Sequence, residues 1–267
     1  MKRETLNEID FAQLYRNHFQ LANRQPKQPQ DWDQKALKMQ TSEFDLNNDY
    51  VQSFVSRMTL SPNDTLLDVG CGGGAISLAT ADKIQHVFAL DYSQGMLDLL
   101  QRRMDQRAIH NITPILKNWE SDWADVPKCD IAVSSRSSMV GDLQQALNKL
   151  NAKARKAVYM TMTVDHQWDY AEIMYVIGRT GLNFPSYIYA LNLLYQQGYL
   201  VNVDFIPRNN ILSTKPLSVD ELLKSVQYRV GSTLTNNEVQ KLQAYYQQNQ
   251  QDLAEQQAYW AFLHWKK

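Results

Sequence analysis

The sequence predicts an α/β protein whose mostly parallel sheet is flanked by helices, and two observations lead to that prediction. First, the apolar run at residues 65–69 leads directly into a turn with four glycines within residues 70–74. A short apolar run bounded in this way is typical of a strand buried in a parallel sheet. Second, further short apolar runs alternate with amphipathic stretches after that turn, which indicates βαβ units with right-handed crossovers.

The elements that follow the glycine turn are predicted from their periodicity and punctuation. Helices are expected from residue 75, at 93–107, at 142–150 and at 187–197, with strands at 86–90, 112–116, 130–133, 157–161, 199–205 and 259–265. Two polar helices are expected between residues 218 and 250, because Ser218 with Glu221 and Thr235 with Glu238 both have capping-box spacing. Pro114 is unfavourable in its strand, since it cannot donate a ladder hydrogen bond.

The domain organisation is expected to be a helical cap or lid at residues 1–60 followed by one catalytic domain at 61–267. The cap contains apolar side chains at helical spacing from Phe11 to Phe19 and a second helix at 50–58. Between them, the prolines of residues 25–30 predict a loop. Elaborations of the main domain are expected at 165–184, which is rich in aromatic residues, and at 215–252.

The overall composition excludes some classes of partner. Lys and Arg total 27 and Asp and Glu total 28, which gives a net charge of -1 and no long-range attraction to nucleic acid or to an anionic membrane. No signal-peptide core and no apolar run of membrane-spanning length is found, so a cytoplasmic protein is expected. Cys71 and Cys129 lack metal-ligand spacing, so neither a zinc site nor a disulfide framework is expected.

The glycine turn and the strand after it predict a nucleoside-binding site. Asp91 ends that strand 21 residues beyond Gly70, where a carboxylate can reach the hydroxyls of a ribose. Gly70, Gly72 and Ala75 also fit the dinucleotide fingerprint, so spacing alone leaves a nicotinamide enzyme open. Asp68 favours a cationic ligand, because its charge would repel a pyrophosphate. The alternative for Asp68 is a strand-end carboxylate that caps local amides.

These motifs resemble those of the class I S-adenosylmethionine-dependent methyltransferases, in particular their small-molecule branch. The segment LDVGCGGG at 67–74 matches the first motif of that family, and LDYSQGML at 90–97 matches the second. The resemblance covers residues 62–163 and implies a Rossmann-like fold with a mostly parallel seven-stranded sheet. It implies S-adenosylmethionine as the cofactor, with the methionine part at the glycine turn, the ribose at Asp91 and the adenine near Tyr92 and Met96.

The third and fourth motif positions depart from the usual pattern. After the third strand the chain has Asn118, Trp119 and Glu120, where Trp119 could equally pack under the sheet. After the fourth strand it has serines, without the signatures of nucleobase methylation, which argues against a nucleic-acid substrate. The cofactor-binding candidates are Asp68, Gly70, Cys71, Gly72, Gly74, Asp91, Tyr92, Ser93, Met96, Asn118, Trp119, Glu120, Ser134 and Ser135.

The chemistry that the resemblance implies is direct methyl displacement, which depends on alignment and exclusion of water rather than on a catalytic triad. An acceptor hydroxyl or thiol would need a base, and His166, beside Asp165, is the candidate by position. The alternative is that His166 is a solvated loop residue and not a base. The acceptor is expected to be a small molecule held under the lid. A nicotinamide-dependent oxidoreductase and a non-catalytic cofactor-binding relative are the two other classes that the sequence leaves open.

Overall fold

The protein was analysed as a computed structural model, which describes residues 5–22, 27–40, 45–164, 167–179, 184–207, 218–230, 232–249 and 259–267. Within these residues a seven-stranded sheet has the order β3-β2-β1-β4-β5-β7-β6. The strands are β1 (Thr65–Val69), β2 (His86–Asp91), β3 (Ile112–Leu116), β4 (Cys129–Ser135), β5 (Ala154–Thr163), β6 (Asn202–Pro207) and β7 (Tyr259–Lys266). The predicted fold class is confirmed.

Helices lie between these strands and before the first of them. They are α1 (Phe11–Leu21), α2 (Pro29–Met39), α3 (Asp49–Val55), α4 (Ala75–Thr80), α5 (Gln94–Arg107), α6 (Leu143–Lys153), α7 (Gln167–Ile177), α8 (Tyr187–Gln196), α9 (Val219–Val230) and α10 (Asn236–Asn249). Among the described residues, none of the helices combines the length and the hydropathy that a membrane crossing requires.

The sheet is parallel from β3 to β5, and only β7 runs in the opposite direction. Chain order proceeds outward in one direction from β1 to β3 and in the other from β4 to β5, so the order reverses between β1 and β4. In open α/β sheets this switch point forms a crevice at the carboxyl ends of the strands where ligands bind. Pro114 is tolerated because β3 is an edge strand, with only β2 as its neighbour.

Two hydrophobic layers cover the two faces of the sheet. One layer packs α1, α6 and α8 against the sheet, around Leu147, Leu193 and Trp265. The other packs α3, α4 and α5 against the opposite face, around Phe54, Leu100 and Phe262. Burial on both faces explains why the strands are nearly continuous apolar runs in the sequence.

The loop predicted at residues 25–30 is wrong at its carboxyl end, because Pro29 begins α2. Proline at the first helical position forfeits no intrahelical hydrogen bond, and its fixed φ suits a helix. The preceding Gln28 and Asp31 form a capping box, with the Gln28 amide donating to Asp31 Oδ2 at 2.8 Å. Residues 25 and 26 of that predicted loop lie outside the described residues.

The last predicted strand before β7 begins three residues later than expected, at Asn202 rather than at 199. The Tyr199 amide donates to Leu194 O at 3.0 Å, and the Gly198 amide donates to Tyr195 O at 2.9 Å. With Gly198 at a φ of 84°, this arrangement closes the end of α8. The first residues of the predicted strand therefore cap a helix instead of joining the sheet.

Helices α7, α9 and α10 form a separate hydrophobic cluster, here called the helical insert. The buried residues of that cluster are Ile173, Met174, Ile177, Leu222, Val226, Leu234 and Leu242. Both predicted capping boxes are confirmed: the Ser218 amide donates to Glu221 at 2.8 Å, and the Thr235 amide donates to Glu238 at 2.7 Å. The helical insert thus has its own small core beside the two layers of the main sheet.

Candidate active site

The glycine turn connects β1 to α4 and lies at the carboxyl edge of the sheet. Gly70, Gly72 and Gly74 have φ values of 70°, 52° and 85°, a region that residues with a Cβ rarely adopt. A Cβ on Gly70 would lie 2.3 Å from Ser137 Cβ, whereas one on Gly72 would meet only the Met96 sulfur, at 3.9 Å. The turn is therefore packed at Gly70 and open at Gly72, where a ligand can lie against the backbone.

Asp91 lies beside the open side of the turn. Its carboxylate accepts hydrogen bonds from the Gly72 amide at 2.8 Å and the Ser93 amide at 2.9 Å. The residue is 5% exposed, and this burial raises the pKa of the carboxyl above its ordinary value despite those hydrogen bonds. These hydrogen bonds hold Asp91 against the glycine turn, and its contact with a ribose stays a prediction.

Asp68 lies beneath the turn, where it is 1% exposed. Its carboxylate accepts from the Ser77 amide at 3.1 Å and from Ser77 Oγ at 2.6 Å, so it caps the first turn of α4. Burial and, to a smaller extent, the nearby charge of Asp91 raise the pKa of Asp68 to about 6, although the hydrogen bonds from Ser77 lower it. These contacts match the alternative expectation, in which Asp68 caps local amides. The charge of Asp68 also makes the crevice acidic beside the glycine turn.

The residues after β2 connect the glycine turn to α2. Ser93 caps α5 by accepting from the Met96 amide at 3.1 Å, and its own hydroxyl donates to Asp33 Oδ1 at 2.6 Å. Tyr92 donates through its hydroxyl to Lys27 O at 3.0 Å. Asp33 also accepts from the Gly95 amide, and these two hydrogen bonds lower the pKa of its carboxyl. Helix α2 therefore borders the predicted adenine position, which the sequence did not indicate.

The loop after β3 contains the three predicted residues of the third motif position. Asn118 is exposed and its side chain accepts from the Ser121 amide at 2.6 Å, a local turn. Trp119 is half-buried, with its ring 5.3 Å from that of Trp123, and its Nε1 donates to Ser137 O at 3.0 Å. Glu120 is exposed. Trp119 thus connects the loop after β3 to the loop after β4.

The loop after β4 forms the other side of the crevice. Ser134 is fully buried, and its hydroxyl hydrogen-bonds with Ser137 Oγ at 2.9 Å. Ser137 Oγ also donates to Val69 O at 2.6 Å, so Ser137, rather than Ser134 or Ser135, touches the glycine turn. The sequence offered a signal for this in the four serines within residues 134–138, but the spacing did not distinguish among them.

Ser135 instead faces an unpredicted tyrosine from α3. The Tyr50 hydroxyl hydrogen-bonds with Ser135 Oγ at 2.7 Å and with Thr161 Oγ1 at 2.8 Å, joining the carboxyl ends of β4 and β5. Burial raises the pKa of Tyr50 above its ordinary value. Nothing in the sequence pairs residue 50 with these strands, since the contacts are separated by 85 and 111 residues.

Three further predicted positions complete the description. Cys71 is buried in the turn, and burial raises the pKa of its thiol well above the ordinary range. Met96 is 3% exposed and packs with Ala36 of α2. His166, the candidate base, lies outside the described residues, as does Asp165. In the described part of the chain, His, Cys, Asp and Glu side chains form no group suited to a metal ion.

Comparison with known proteins agrees with this fold and site. A family model described as a methyltransferase domain matches residues 66–158. An uncharacterized protein of Haemophilus influenzae is 36% identical over 264 residues, which cover 98% of each chain. A protein of Methanococcus vannielii, named a probable cobalt-precorrin-6B C(15)-methyltransferase (decarboxylating), is 23% identical over 145 residues. The match covers 53% of this chain and 74% of that protein.

Among solved structures, the magnesium protoporphyrin IX methyltransferase of Synechocystis, with bound S-adenosylhomocysteine, has a TM-score of 0.53. The two are 12% identical, and the match covers 97% of this chain and 100% of that one, which is a likeness of fold. Fold, glycine turn and family model together define an enzyme that transfers methyl groups. The chain belongs to the class I S-adenosylmethionine-dependent methyltransferases, and S-adenosylmethionine is its cofactor. This decides against the nicotinamide-dependent alternative.

Proposed function

We propose that this methyltransferase acts on a small-molecule acceptor, bound in the crevice between the carboxyl ends of β1 and β4. The observation that carries the proposal is the position of the connections between the helical insert and the sheet. Helix α7 follows the end of β5, and α9 and α10 lie between the end of β6 and the start of β7. Thr163 pairs with Trp260 and Pro207 pairs with Tyr259, so all three connections lie at the carboxyl edge. Helices attached there favour an enclosed acceptor.

The acceptor class is supported by charge and by the named relative. A net charge of -1 gives no general attraction to a polynucleotide. The relative from Methanococcus vannielii is described as acting on cobalt-precorrin-6B, not on a nucleic acid or a protein. We propose that a lid borders the acceptor. It consists of residues 1–60, which precede the main domain of residues 61–267, and of residues 165–184 within that domain.

The residues present fit the cofactor. Gly72 leaves open space over its backbone, and the buried carboxylates of Asp91 and Asp68 form an acidic environment that suits a ligand with a sulfonium and an ammonium group. We propose that Asp91 holds the ribose, that Gly70, Gly72 and Ser137 border the methionine part, and that Tyr92 and Met96 border the adenine. The bound cofactor supplies an electrophilic methyl group.

The role of the chain is then to align the acceptor and exclude water, which needs no protein nucleophile. Where the acceptor atom carries a proton, a base must remove it, and His166 is the proposed base. The acidic Asp68 and Asp91 stabilise the cationic cofactor, while the β4 side of the crevice, which carries serines and Arg136, is left for the acceptor.

Titration calorimetry with S-adenosylhomocysteine tests the site assignment. Asp91→Ala removes charge-assisted hydrogen bonds worth about 1.5–3 kcal/mol each, so the dissociation constant should rise at least about tenfold. The matched control is Asp98→Ala, an exposed carboxylate on α5 whose side chain binds Gln94. Equal affinity of the Asp91 variant and wild type would show that Asp91 only stabilises the turn.

The acceptor class is tested with S-adenosylmethionine labelled at the methyl group. The enzyme is incubated with a deproteinised metabolite extract, with RNA and with a protein fraction in parallel. Label should appear in the small molecules and be absent from the other two fractions. Label transferred mainly to RNA or protein would overturn the proposed acceptor class without affecting the cofactor assignment.

A further inference from the structure

Arg136 is the first residue after β4, and its backbone is held in an unusual conformation. Its φ is 57°, in the left-handed region that residues other than glycine seldom occupy. Its amide donates to Thr161 Oγ1 at 3.0 Å, which fixes the residue to the end of β5. A strained backbone position that neighbouring strands hold in place indicates a side chain whose direction matters.

The side chain of Arg136 has a fixed support. Its guanidinium lies over the ring of Tyr50, with Cζ 4.1 Å from the ring centroid. Tyr50 is 8% exposed and its hydroxyl is held by Ser135 and Thr161, so the ring cannot follow a moving arginine. Trp260 packs edge-on against the same ring, with the centroids 6.4 Å apart. Stacking of this kind pre-organises a guanidinium for planar recognition.

The charge of Arg136 lies near no carboxylate in the described residues, unlike the charges of several other arginines. Arg57, Arg155 and Arg179 each approach a carboxylate, of Asp204, Asp130 and Glu238 respectively. Arg136 is exposed, and within the ranges that the structure describes its guanidinium has no carboxylate partner. A rigid and solvated guanidinium at the edge of a crevice is suited to bind an oxyanion of a ligand in bidentate fashion.

The position of the guanidinium indicates which ligand it faces. Residue 137, next along the chain, touches the glycine turn, while the Arg136 side chain lies over Tyr50 on the opposite side of β4, towards β5. The guanidinium therefore lies at the β4–β5 side of the crevice, whereas Asp91 lies at the end of β2, two strands away from β4. One guanidinium compensates one negative charge, which fits a carboxylate better than a phosphate dianion.

We propose that Arg136, supported by Tyr50, is a specificity-determining residue that binds a carboxylate group of the methyl acceptor. This inference rests on the proposed function only in placing the acceptor at the β4 side of the crevice. It narrows the substrate class to small molecules that carry a carboxylate within reach of the methylated atom.

The test uses the full chain loaded with S-adenosylhomocysteine and the matched probes benzoate and benzamide, whose binding is followed by ligand-observed NMR titration. Benzoate should bind wild type at least about tenfold more tightly than benzamide. Arg136→Gln should abolish that preference, and Arg136→Lys should retain part of it, because lysine keeps the charge but not the planar fork. Arg102→Gln, an exposed arginine on α5, is the matched control and should bind as wild type does.

Three results would overturn the proposal. Equal binding of benzoate and benzamide to wild type would show that no carboxylate site exists, and tighter binding of phenyl phosphate than benzoate would assign a different anion. A tenfold loss of S-adenosylhomocysteine affinity in Arg136→Gln would mean that Arg136 binds the cofactor's own carboxylate. Failure of wild type to bind S-adenosylhomocysteine would instead contradict the donor-site assignment, so the two failures are distinguishable.

Discussion

The N-terminal helices and the helical insert are both additions to the sheet domain, yet they are packed differently. Tyr15 of α1 is fully buried and donates to Val140 O at 2.6 Å, and Phe54 of α3 packs edge-on against Phe262 at 5.0 Å. These side chains belong to the two layers of the main core. In the helical insert, by contrast, Ile173, Leu222 and Leu242 pack against one another.

This difference indicates how each region can respond to a ligand. Opening a helix that fills the main core would expose that core, whereas a cluster with its own core can move with little loss of burial. The helical insert is therefore the better candidate for the moving part of the proposed lid. The N-terminal helices contact the edge of the crevice through Asp33 and Tyr50 and provide a fixed wall.

Phe54→Ala should give the largest effect on global stability. Truncating a fully buried phenylalanine costs about 3–5 kcal/mol, so the free energy of unfolding should fall by that amount. Chemical denaturation measures it. The control is Leu37→Ala on α2, which is 55% exposed and should change the stability by less than about 0.5 kcal/mol. A small effect of Phe54→Ala would mean that the N-terminal helices are as loosely attached as a lid.

Leu242→Ala should act locally. The side chain is fully buried in the helical insert, and its truncation should cost about 2–5 kcal/mol within that cluster. Hydrogen exchange should accelerate in residues 167–179 and 236–249, while exchange in β1 and β4 and the affinity for S-adenosylhomocysteine stay unchanged. Faster exchange throughout the sheet would show that the insert and the main core unfold as one unit.

The pair formed by Arg179 and Glu238 should give the insert a pH dependence. Arg179 and the Thr235 cap lower the pKa of Glu238 to about 2. Its stabilisation is therefore fully present above the ordinary glutamate pKa and is lost as the pH falls through about 2. Glu238→Gln removes charge-assisted hydrogen bonds of about 1.5–3 kcal/mol. Hydrogen exchange in α10 of Glu238→Gln should therefore be faster than in wild type at pH 7, and the difference should disappear in strong acid.

The matched control for this measurement is Asp220→Asn, an exposed carboxylate in the first turn of α9. It changes the net charge by the same amount without touching Arg179. If this control loosened the insert as much as Glu238→Gln does, the effect would be one of general charge rather than of the Arg179 pair.

Asp33→Asn should give the smallest effect, which is a small loss of affinity for S-adenosylhomocysteine. Asp33 accepts from Ser93 Oγ and the Gly95 amide at the start of α5, where a negative charge interacts favourably but weakly with the helix N-terminus. The affinity for S-adenosylhomocysteine should fall no more than about fivefold, well short of the loss in Asp91→Ala. Calorimetry on both variants compares them, and a tenfold loss in Asp33→Asn would make α2 part of the cofactor site itself.

The sequence predicted well wherever neighbouring residues determine the structure. The glycine turn, the strand ending at Asp91 and the two capping boxes at Ser218 and Thr235 are all local patterns. The helix at Pro29 was missed because proline is compatible both with a loop and with the first position of a helix, and the local sequence does not decide between them.

By itself the sequence determined the fold class and the methyltransferase family, and it predicted the position of the cofactor site, since these depend on residues close together in the chain. The tertiary structure decided which serine touches the turn, how Tyr50 joins β4 to β5 and where Arg136 is held. Contacts of that kind join residues 68 to 111 positions apart. They follow from how the helices pack on the sheet, which no local pattern of residues encodes.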